Sequence, residues 1–268
     1  MSGAAAAHHR ASDGVEASTA PVLRTQGLTK HFGAFHAVSD VSIAFAPGAR
    51  HALIGPNGAG KTTLINLLTG VFAPTSGEVF LRERNITGLP QHARVKSGMT
   101  RTFQINTLFP GLTVLESVVL AICERQGRAG IWYATVSRQA EAVDEANALL
   151  ESLRLATERH ALTRNLAYGK QRLLEIALAL ATRPSVLLLD EPAAGIPSAE
   201  SAELFGVIAG LPRDVTIVFI EHDMKLVFRF AERITVLVGG KVLTEGTPAE
   251  IARDARVKEV YLGEAHHG

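Results

Sequence analysis

The feature that most constrains the fold of this chain is a glycine-rich loop between a strand and a helix. Residues 55–62 read Gly-Pro-Asn-Gly-Ala-Gly-Lys-Thr, which matches the G-x-x-x-x-G-K-[ST] pattern. The segment Arg50–Ile54 leads directly into this loop, and Thr62–Leu68 follows with the pattern of a helix. Glycines let backbone N–H groups surround a phosphate, and the helix N-terminus adds positive potential. The pattern therefore predicts a phosphate-binding loop, called the P-loop below.

The P-loop residues have separate expected roles toward a nucleoside triphosphate. Lys61 is expected to reach the β- and γ-phosphates, and the hydroxyl of Thr62 is expected to ligate Mg²⁺. Upstream, the ring of Phe32 is suited to stack on adenine with Val38 packing beside it, although a core aromatic is the plain alternative. The residues assigned to ATP binding are Phe32, Val38, Gly55, Pro56, Asn57, Gly58, Ala59, Gly60, Lys61, Thr62 and Thr63.

Two carboxylates, Asp190 and Glu191, follow the apolar segment Val186–Leu189. An acid at the end of a buried strand is costly unless it faces solvent or a cation, so this sheet edge is a natural metal site. We expect Asp190 to hold Mg²⁺ through water and Glu191 to polarise the attacking water as general base. That role contributes about 10²–10⁴-fold to a rate. A solvated strand end is the alternative, and the P-loop argues against it.

Two further residues are candidates for contact with the reacting phosphate. His222 follows the apolar segment Thr216–Ile220 and would reach the γ-phosphate if that strand lies beside the other two. A histidine at a strand end is otherwise an ordinary surface residue. Gln104 can bridge Mg²⁺ or the attacking water through its carbonyl, and it stands where the core meets a helical segment. The predicted catalytic residues are Glu191, His222 and Gln104, and the predicted metal ligands are Thr62, Gln104 and Asp190.

A hexapeptide at residues 166–171, Leu-Ala-Tyr-Gly-Lys-Gln, opens a helix predicted at Lys170–Thr182. Gly169 permits close approach of the backbone, and a helix N-terminus suits a γ-phosphate. Within one subunit this N-terminus is expected to lie far from Lys61, so a second subunit must bring the opposing half of the site. The residues assigned to a partner's nucleotide are Leu166, Ala167, Tyr168, Gly169, Lys170 and Gln171.

The remaining patterns indicate one domain with a helical insert. Residues 104–165 lose strand signals, and Ser137–Leu155 carries apolar residues at helical spacing. We expect a single nucleotide-binding domain over residues 21–268, with a helical subdomain at about 104–182. Residues 1–20 hold few large apolar groups and are expected to form a disordered tail. The other predicted elements are strands at Val22–Gly27 and Val41–Phe45, parallel strands at Val186–Leu189 and Thr216–Ile220, a hairpin around Gly239-Gly240, and a short helix from Pro248.

Composition narrows the function classes. The 27 Lys and Arg residues nearly balance 26 Asp and Glu residues, so the chain lacks the strongly basic character typical of nucleic-acid binding. The one cysteine, Cys123, cannot form an internal disulfide, which fits a reducing compartment. The longest apolar stretches, Val118–Cys123 and Ile176–Ala181, fall well short of the roughly 20 residues that cross a bilayer.

Taken in order, the P-loop, Gln104, the hexapeptide, the acidic strand end and His222 resemble the ATP-binding subunits of ABC transporters. The resemblance covers residues 22–263 and implies an ATP hydrolase that uses Mg²⁺. It also implies the fold: an α/β P-loop NTPase core with a mixed sheet, an antiparallel β edge and an inserted α-helical subdomain. In that family the hexapeptide is the signature that serves the nucleotide of another subunit.

Finer features are similar to the ATPases of branched-chain (hydrophobic) amino acid uptake systems. The resemblance implies a second, different ATP-binding subunit, two membrane permease subunits and an extracytoplasmic substrate-binding protein, with no nucleic acid. It also implies a peripheral position at the cytoplasmic face of the inner membrane. The segments that carry it are Leu166-Ala-Tyr-Gly169, Glu191-Pro-Ala-Ala-Gly195, Ile220-Glu-His-Asp-Met-Lys-Leu226, Glu245-Gly-Thr-Pro-Ala-Glu250 and Tyr261-Leu-Gly263.

Three positions depart from the wider family pattern. Ala167 stands where the signature serine is usual, Lys170 replaces the customary glutamine, and Pro197 replaces an aspartate. All three lie on surfaces that should face the partner's nucleotide, whereas the residues for this chain's own nucleotide are intact. We therefore expect this chain's own site to hydrolyse ATP and the opposite site to be slower.

Two alternatives stay open from the sequence. One is the ATPase of a lipid or lipopolysaccharide exporter, whose subunit is similar. The other is a non-transport ABC ATPase that acts on nucleic acid or the ribosome. Such proteins carry long coiled-coil inserts, zinc motifs or two cassettes, and this sequence has none of them. The apolar residues Leu108, Phe109 and Leu112 are candidates either for a permease-docking groove or for the insert's own core.

Overall fold

The computed structural model describes residues 20–102, 108–127 and 140–264. Its strands are β1 (Leu23–Phe32), β2 (Phe35–Val41), β3 (Ala44–Phe45), β4 (Arg50–Ile54), β5 (Ser76–Leu81), β6 (Arg84–Asn85), β7 (Met99–Arg101), β8 (Val186–Asp190), β9 (Thr216–Ile220), β10 (Arg233–Val238) and β11 (Lys241–Gly246). Its helices are α1 (Lys61–Thr69), α2 (Gln91–Lys96), α3 (Val114–Arg125), α4 (Ala140–Ser152), α5 (Tyr168–Ala181), α6 (Ser198–Ala209), α7 (Met224–Phe230), α8 (Pro248–Arg253) and α9 (Ala255–Glu264).

A mixed sheet with the strand order β11-β10-β4-β9-β8-β7 forms the centre of the molecule. Adjacent strands in the series β10-β4-β9-β8-β7 pair in parallel, while β11 pairs antiparallel with β10. The central strands β4 and β9 are buried along their length, as is β8 up to Leu189, because both faces of this sheet are covered. In β9, for example, Ile217 and Phe219 pack into one core cluster and Val218 and Ile220 into the other. The predicted parallel strands and the hairpin at Gly239-Gly240 are confirmed.

A second sheet is antiparallel, with the order β2-β1-β5-β6 and β3 paired to β1. Together with α1 it covers one face of the mixed sheet. The sequence pattern is only partly right here. The strand predicted at Val22–Gly27 continues to Phe32, and the strand predicted at Val41–Phe45 is divided between the end of β2 and β3. Gly33, with a φ of 60°, makes the turn that joins β1 to β2.

A helical unit stands between β7 and β8 in the chain and packs on the other face of the mixed sheet. It contains α3, α4 and α5, whose buried faces share one core cluster. A capping box at Thr113 and Glu116 starts α3, and α5 begins at Tyr168, two residues before the predicted start. The predicted helix at Ser137–Leu155 is described from Ala140 to Ser152. The arrangement confirms the α/β fold class with an inserted helical segment.

The predicted domain limits remain a prediction, since the proposed tail at residues 1–20 is described only at Ala20. Over the described ranges, none of the helices combines the length and the apolar character that crossing a membrane requires.

Candidate active site

A cleft of about 230 Å³ opens above the P-loop, and the ends of β8 and β9 reach it. The strand order places β9 between β4 and β8, so the loop that follows β4 and the residues that follow β8 and β9 meet at one sheet edge. The residues that line the cleft are Phe35, Ala37, Asn57, Gly58, Ala59, Gly60, Lys61, Thr62, Thr63, Glu191 and His222. The P-loop, the predicted base and the predicted histidine therefore share one wall.

Two glycines of the P-loop are required by close backbone contacts. A Cβ on Gly55 would lie 2.1 Å from the carbonyl oxygen of Leu237, and a Cβ on Gly60 would lie 2.3 Å from that of Ala37. Both residues also have positive φ angles, 151° and 97°. Because no other residue type fits these positions without strain, the glycine pattern reflects the shape of the loop as well as its contact with a ligand.

Lys61 lies at the first position of α1, with its ammonium group folded back on the P-loop. Its Nζ donates hydrogen bonds to the carbonyl oxygens of Gly55 at 2.7 Å and Pro56 at 2.9 Å. Its side chain is buried, so these contacts stabilise a cation that has little access to water. A phosphate in the cleft would supply a stronger, charged acceptor for the same group.

Glu191 and His222 are in direct contact at the edge of the cleft. The Nε2 atom of His222 lies 2.8 Å from Oε1 of Glu191, and both side chains are partly exposed to the cleft. Glu191 has a φ of 49°, in the left-handed region that is costly for a residue with a Cβ. Its N–H donates to the carbonyl oxygen of Ile220 at 3.1 Å, so the end of β9 holds it. Strained backbone that neighbours support is frequent at functional sites.

Asp190 is paired with a cation, Arg101, that the sequence does not predict. Arg101, the last residue of β7, donates from Nη2 to Oδ2 of Asp190 at 2.5 Å and from Nη1 to Oδ1 of Asn66 at 2.7 Å. The carboxylate of Asp190 and the hydroxyl of Thr62 are the hard oxygen groups that suit Mg²⁺. The residues present thus fit a magnesium site, and Arg101 holds one oxygen of the predicted ligand.

Glu221 is a buried carboxylate that contacts the main chain next to Glu191 and His222. Its Oε1 accepts from the N–H of Ala193 at 3.0 Å and its Oε2 from the N–H of His222 at 3.1 Å. Burial raises the pKa of Glu221, while the N–H groups of Ala193, His222 and Asp223 favour the carboxylate and oppose that rise. In the sequence, Glu221 stands out only as part of the segment Ile220–Leu226, because its partners are main-chain groups that leave no pattern.

The aromatic residues near the cleft differ from the prediction. Phe35 is 62% exposed and lines the cleft, whereas Phe32 is 45% exposed and packs edge-to-face on Phe72 with ring centroids 5.4 Å apart. The side chain of Val38 is buried in the core beneath the second sheet, and its place beside the adenine site stays a prediction. The exposed ring of Phe32 stays a candidate for adenine stacking.

The hexapeptide stands at the start of α5, and none of its residues is among those described as lining the cleft. Leu166 is buried, and Gln171 donates from Nε2 to the carbonyl oxygen of Leu166 at 2.9 Å. Tyr168 donates from its hydroxyl to the carbonyl oxygen of Ala194 at 3.2 Å. The ammonium of Lys170 donates to the carbonyl oxygen of Arg154 at 2.9 Å, so it is engaged within its own chain.

Ala167 and Gly169 add no side-chain hydrogen bond to the start of α5; Ala167, as its N-cap residue, has no side-chain cap. Gln104, which the sequence assigns to catalysis and to the metal, lies outside the described residues. Its role stays a prediction.

Comparison with known families now decides what this arrangement represents. Residues 38–194 match the family described as ABC transporter. The chain belongs to the ABC transporter family. Residues 241–267, which include β11 and α8, match a second family described as branched-chain amino acid ATP-binding cassette transporter. As a member of the ABC transporter family the chain is an ATPase, and the prediction of this class from the sequence is confirmed.

Known relatives agree with this assignment. The chain is 43% identical over 253 residues to "High-affinity branched-chain amino acid transport ATP-binding protein LivG" of Salmonella typhimurium, a match that covers 91% of this chain and 99% of the relative. It is 36% identical over 244 residues to "Lipopolysaccharide export system ATP-binding protein LptB" of Acidithiobacillus ferridurans, covering 91% and 97%. The lipopolysaccharide relative is thus the more distant of the two.

The fold of the ABC family is also confirmed by a solved structure. The ADP conformation of MJ1267, an ATP-binding cassette of an ABC transporter, matches with a TM-score of 0.80 and 31% identity, covering 91% of this chain and 99% of the other.

Proposed function

We propose that this chain powers the import of branched-chain or related amino acids by hydrolysing ATP for separate membrane permease subunits. The observation that carries the catalytic part is the contact between Glu191 and His222 on the wall of the P-loop cleft, 2.8 Å apart. It brings a carboxylate and an imidazole to the place where the γ-phosphate of a nucleotide on the P-loop would end.

The proposed reaction is the attack of water on the γ-phosphorus, which releases ADP and phosphate. Lys61 exchanges its carbonyl contacts for the β- and γ-phosphates, and Glu191 accepts a hydrogen bond and then the proton from the attacking water. His222, whose Nε2 contacts Oε1 of Glu191 in the free site, donates its Nε2–H to a γ-phosphate oxygen when ATP is bound, where charge accumulates in the transition state. Thr62 and Asp190 would hold Mg²⁺, with Gln104 as the further ligand that the sequence predicts, and the bound ion would supply positive charge against the phosphates.

The amino acid class rests on the relatives and on the C-terminal segment. LivG is named for branched-chain amino acid transport, and the segment 241–267 matches the family of that name. The described part of this segment, up to residue 264, adds to the edge of the mixed sheet: β11 pairs with β10, and Ile251 and Val257 are buried in the core.

We infer that the working unit contains a second, non-identical ATP-binding subunit. The cleft lacks the N-terminus of α5, which in this family serves a nucleotide held by the partner. Ala167 offers no hydroxyl to a partner's γ-phosphate, and Lys170 is held by Arg154 within the chain. Both features support the expectation that the site completed by this chain's signature is the slower one.

The permease contact is proposed for a groove of about 480 Å³ between α2 and the helical unit. Val95, Leu178 and Ala179 give it an apolar floor, and Lys96 and Glu124 stand at its sides. The groove also includes Thr100 in β7. Phe109, 56% exposed at the start of the helical unit, is a second candidate contact. This docking would place the chain at the cytoplasmic face of the membrane as a peripheral subunit.

The proposed function is tested by purifying the complex through this chain and identifying what comes with it. We expect permease-like membrane subunits and a second ATP-binding subunit, and the matching binding protein should take a branched-chain or related amino acid in a ligand screen. Lipid-export subunits would favour the function named for LptB instead, and nucleic acid or ribosomes would contradict both.

A Leu178→Asp variant should lose the permeases but keep ATP binding; an exposed change, Lys258→Asp, serves as control.

A further inference from the structure

The loop after β8 and the loop after β9 are joined by one buried side chain. Glu221, only 6% exposed, follows β9 directly. One of its carboxylate oxygens accepts from the N–H of Ala193 in the first loop, and the other accepts from the N–H of His222 in the second. A carboxylate is the side chain that can accept from two separate N–H groups with two equivalent oxygens.

This bridge bears on the two residues that meet in the cleft. Glu191 lies two residues before Ala193, and the turn between them closes with a hydrogen bond from Ala194 N to the carbonyl oxygen of Glu191 at 3.0 Å. Since Glu191 has a φ of 49°, its conformation is strained for an L-residue and persists only where the surroundings fix it. The hydrogen bond from the N–H of Ala193 to Glu221 holds the main chain of that turn in place, two residues after Glu191.

We propose that Glu221 is a positioning residue that sets Glu191 and His222 at their mutual distance. Its carboxylate holds the main chain of both loops, so the imidazole and the carboxylate above it remain 2.8 Å apart and face the same point of the cleft. The inference rests on the proposed role of Glu191 as general base. Glu221 does not line the cleft, and it acts through the two residues that do.

The isosteric change Glu221→Gln tests the proposal. The amide retains one oxygen for one of the two loops, but its NH₂ group faces the N–H of the other, so the bridge is opened on one side. The buried site favours a neutral group, and therefore the variant should fold. Glu245→Gln is the matched control: Glu245 accepts from Thr235 and Arg233 on β10 and does not line the cleft.

In the complex purified through this chain, we expect Glu221→Gln to lower kcat for ATP about 10- to 100-fold, because small displacements of catalytic groups are costly. The KM for ATP, nucleotide affinity and melting temperature should stay near those of wild type, and the control should match wild type throughout. An unchanged kcat would contradict the proposal. So would a joint loss of kcat, nucleotide affinity and melting temperature, which indicates a merely structural role.

A double variant supplies a second measurement. Added to Glu191→Gln, the Glu221→Gln change should lower single-turnover phosphate release by less than the 10- to 100-fold expected in the wild-type background, because one of the two residues it positions is already inactive. A full additional loss would show that Glu221 acts independently and would overturn the proposal. If Glu191→Gln alone left turnover unchanged, the proposed function itself would fail, which is a separate outcome.

Discussion

The guanidinium of Arg101 binds the carboxylate of Asp190, with Nη2 of the one 2.5 Å from Oδ2 of the other. Asp190 is the residue that the sequence assigns to Mg²⁺, and Arg101 ends the strand that leads toward Gln104. The pair therefore links the predicted metal ligand to the chain segment through which the nucleotide site is expected to reach the helical unit.

Arg101→Leu should destabilise the protein most when no nucleotide is bound. The variant leaves a partly buried carboxylate without its cation, at a cost of about 1–2 kcal/mol once solvent screening is allowed for. Mg²⁺ and ATP should reduce that loss, because the ion offsets part of the missing positive charge. Melting temperatures with and without Mg²⁺-ATP measure the difference. The pair of the exposed Arg256 with Asp254 provides the control Arg256→Leu, and an equal loss in both conditions for Arg101→Leu would contradict the prediction.

The adenine contact predicted for Phe32 can be separated from the role of Phe35. If the half-exposed ring of Phe32 stacks on the base, Phe32→Ala should weaken ATP binding by about 5- to 10-fold. This change in affinity corresponds to a stacking free energy of roughly 1–1.5 kcal/mol. Binding of inorganic triphosphate, which has no base, should not change. Equilibrium binding of both ligands measures this. A larger loss of ATP affinity in Phe35→Ala would assign the base contact to Phe35, which lines the cleft.

His51 should make the fold sensitive to mild acid. It lies in β4 with no exposure, and burial lowers its pKa from 6.5 to about 4, although the charge of Glu245 opposes this shift. Since the folded state resists protonation, stability is full above pH 6.5 and falls as the pH drops toward 4, by roughly 2–3 kcal/mol from this group. Urea unfolding across that pH range measures the loss.

The variant His51→Gln should flatten this pH dependence because an amide does not titrate. It should also fold, since the amide can still contact Thr235, to which Nε2 of His51 is bonded at 2.7 Å. The exposed His36→Gln is the control and should keep the wild-type slope. An undiminished slope in His51→Gln would exclude His51 as its source.

The sequence predicts well those parts of the fold in which local pattern and burial agree. The segments Val186–Leu189 of β8 and Ile217–Ile220 of β9 are apolar throughout because both faces are covered, and that property is visible in the sequence alone. The pattern predicts the second sheet less well. Ser76–Leu81 begins with polar and glycine residues and becomes a strand through its pairing with β1, which is a non-local interaction.

The site shows the same division. Lys61, Glu191 and His222 belong to patterns tied to a strand end or a helix start, and the structure brings them to one cleft. Arg101 and Glu221 are absent from such patterns. Arg101 meets Asp190 across 89 residues, and Glu221 meets Ala193 across 28 through a main-chain N–H that any residue could offer. Contacts of this kind follow from the order of strands in the sheet, which the sequence does not state.

The most direct test of the whole account is ATP turnover by the assembled complex that carries Glu191→Gln in this chain. Removal of the general base should lower steady-state hydrolysis by about 100-fold or more and stop amino acid uptake, while ATP still binds because Lys61 and the P-loop are unchanged. Turnover and uptake near the wild-type level would contradict the assignment of Glu191 and, with it, the proposed mechanism.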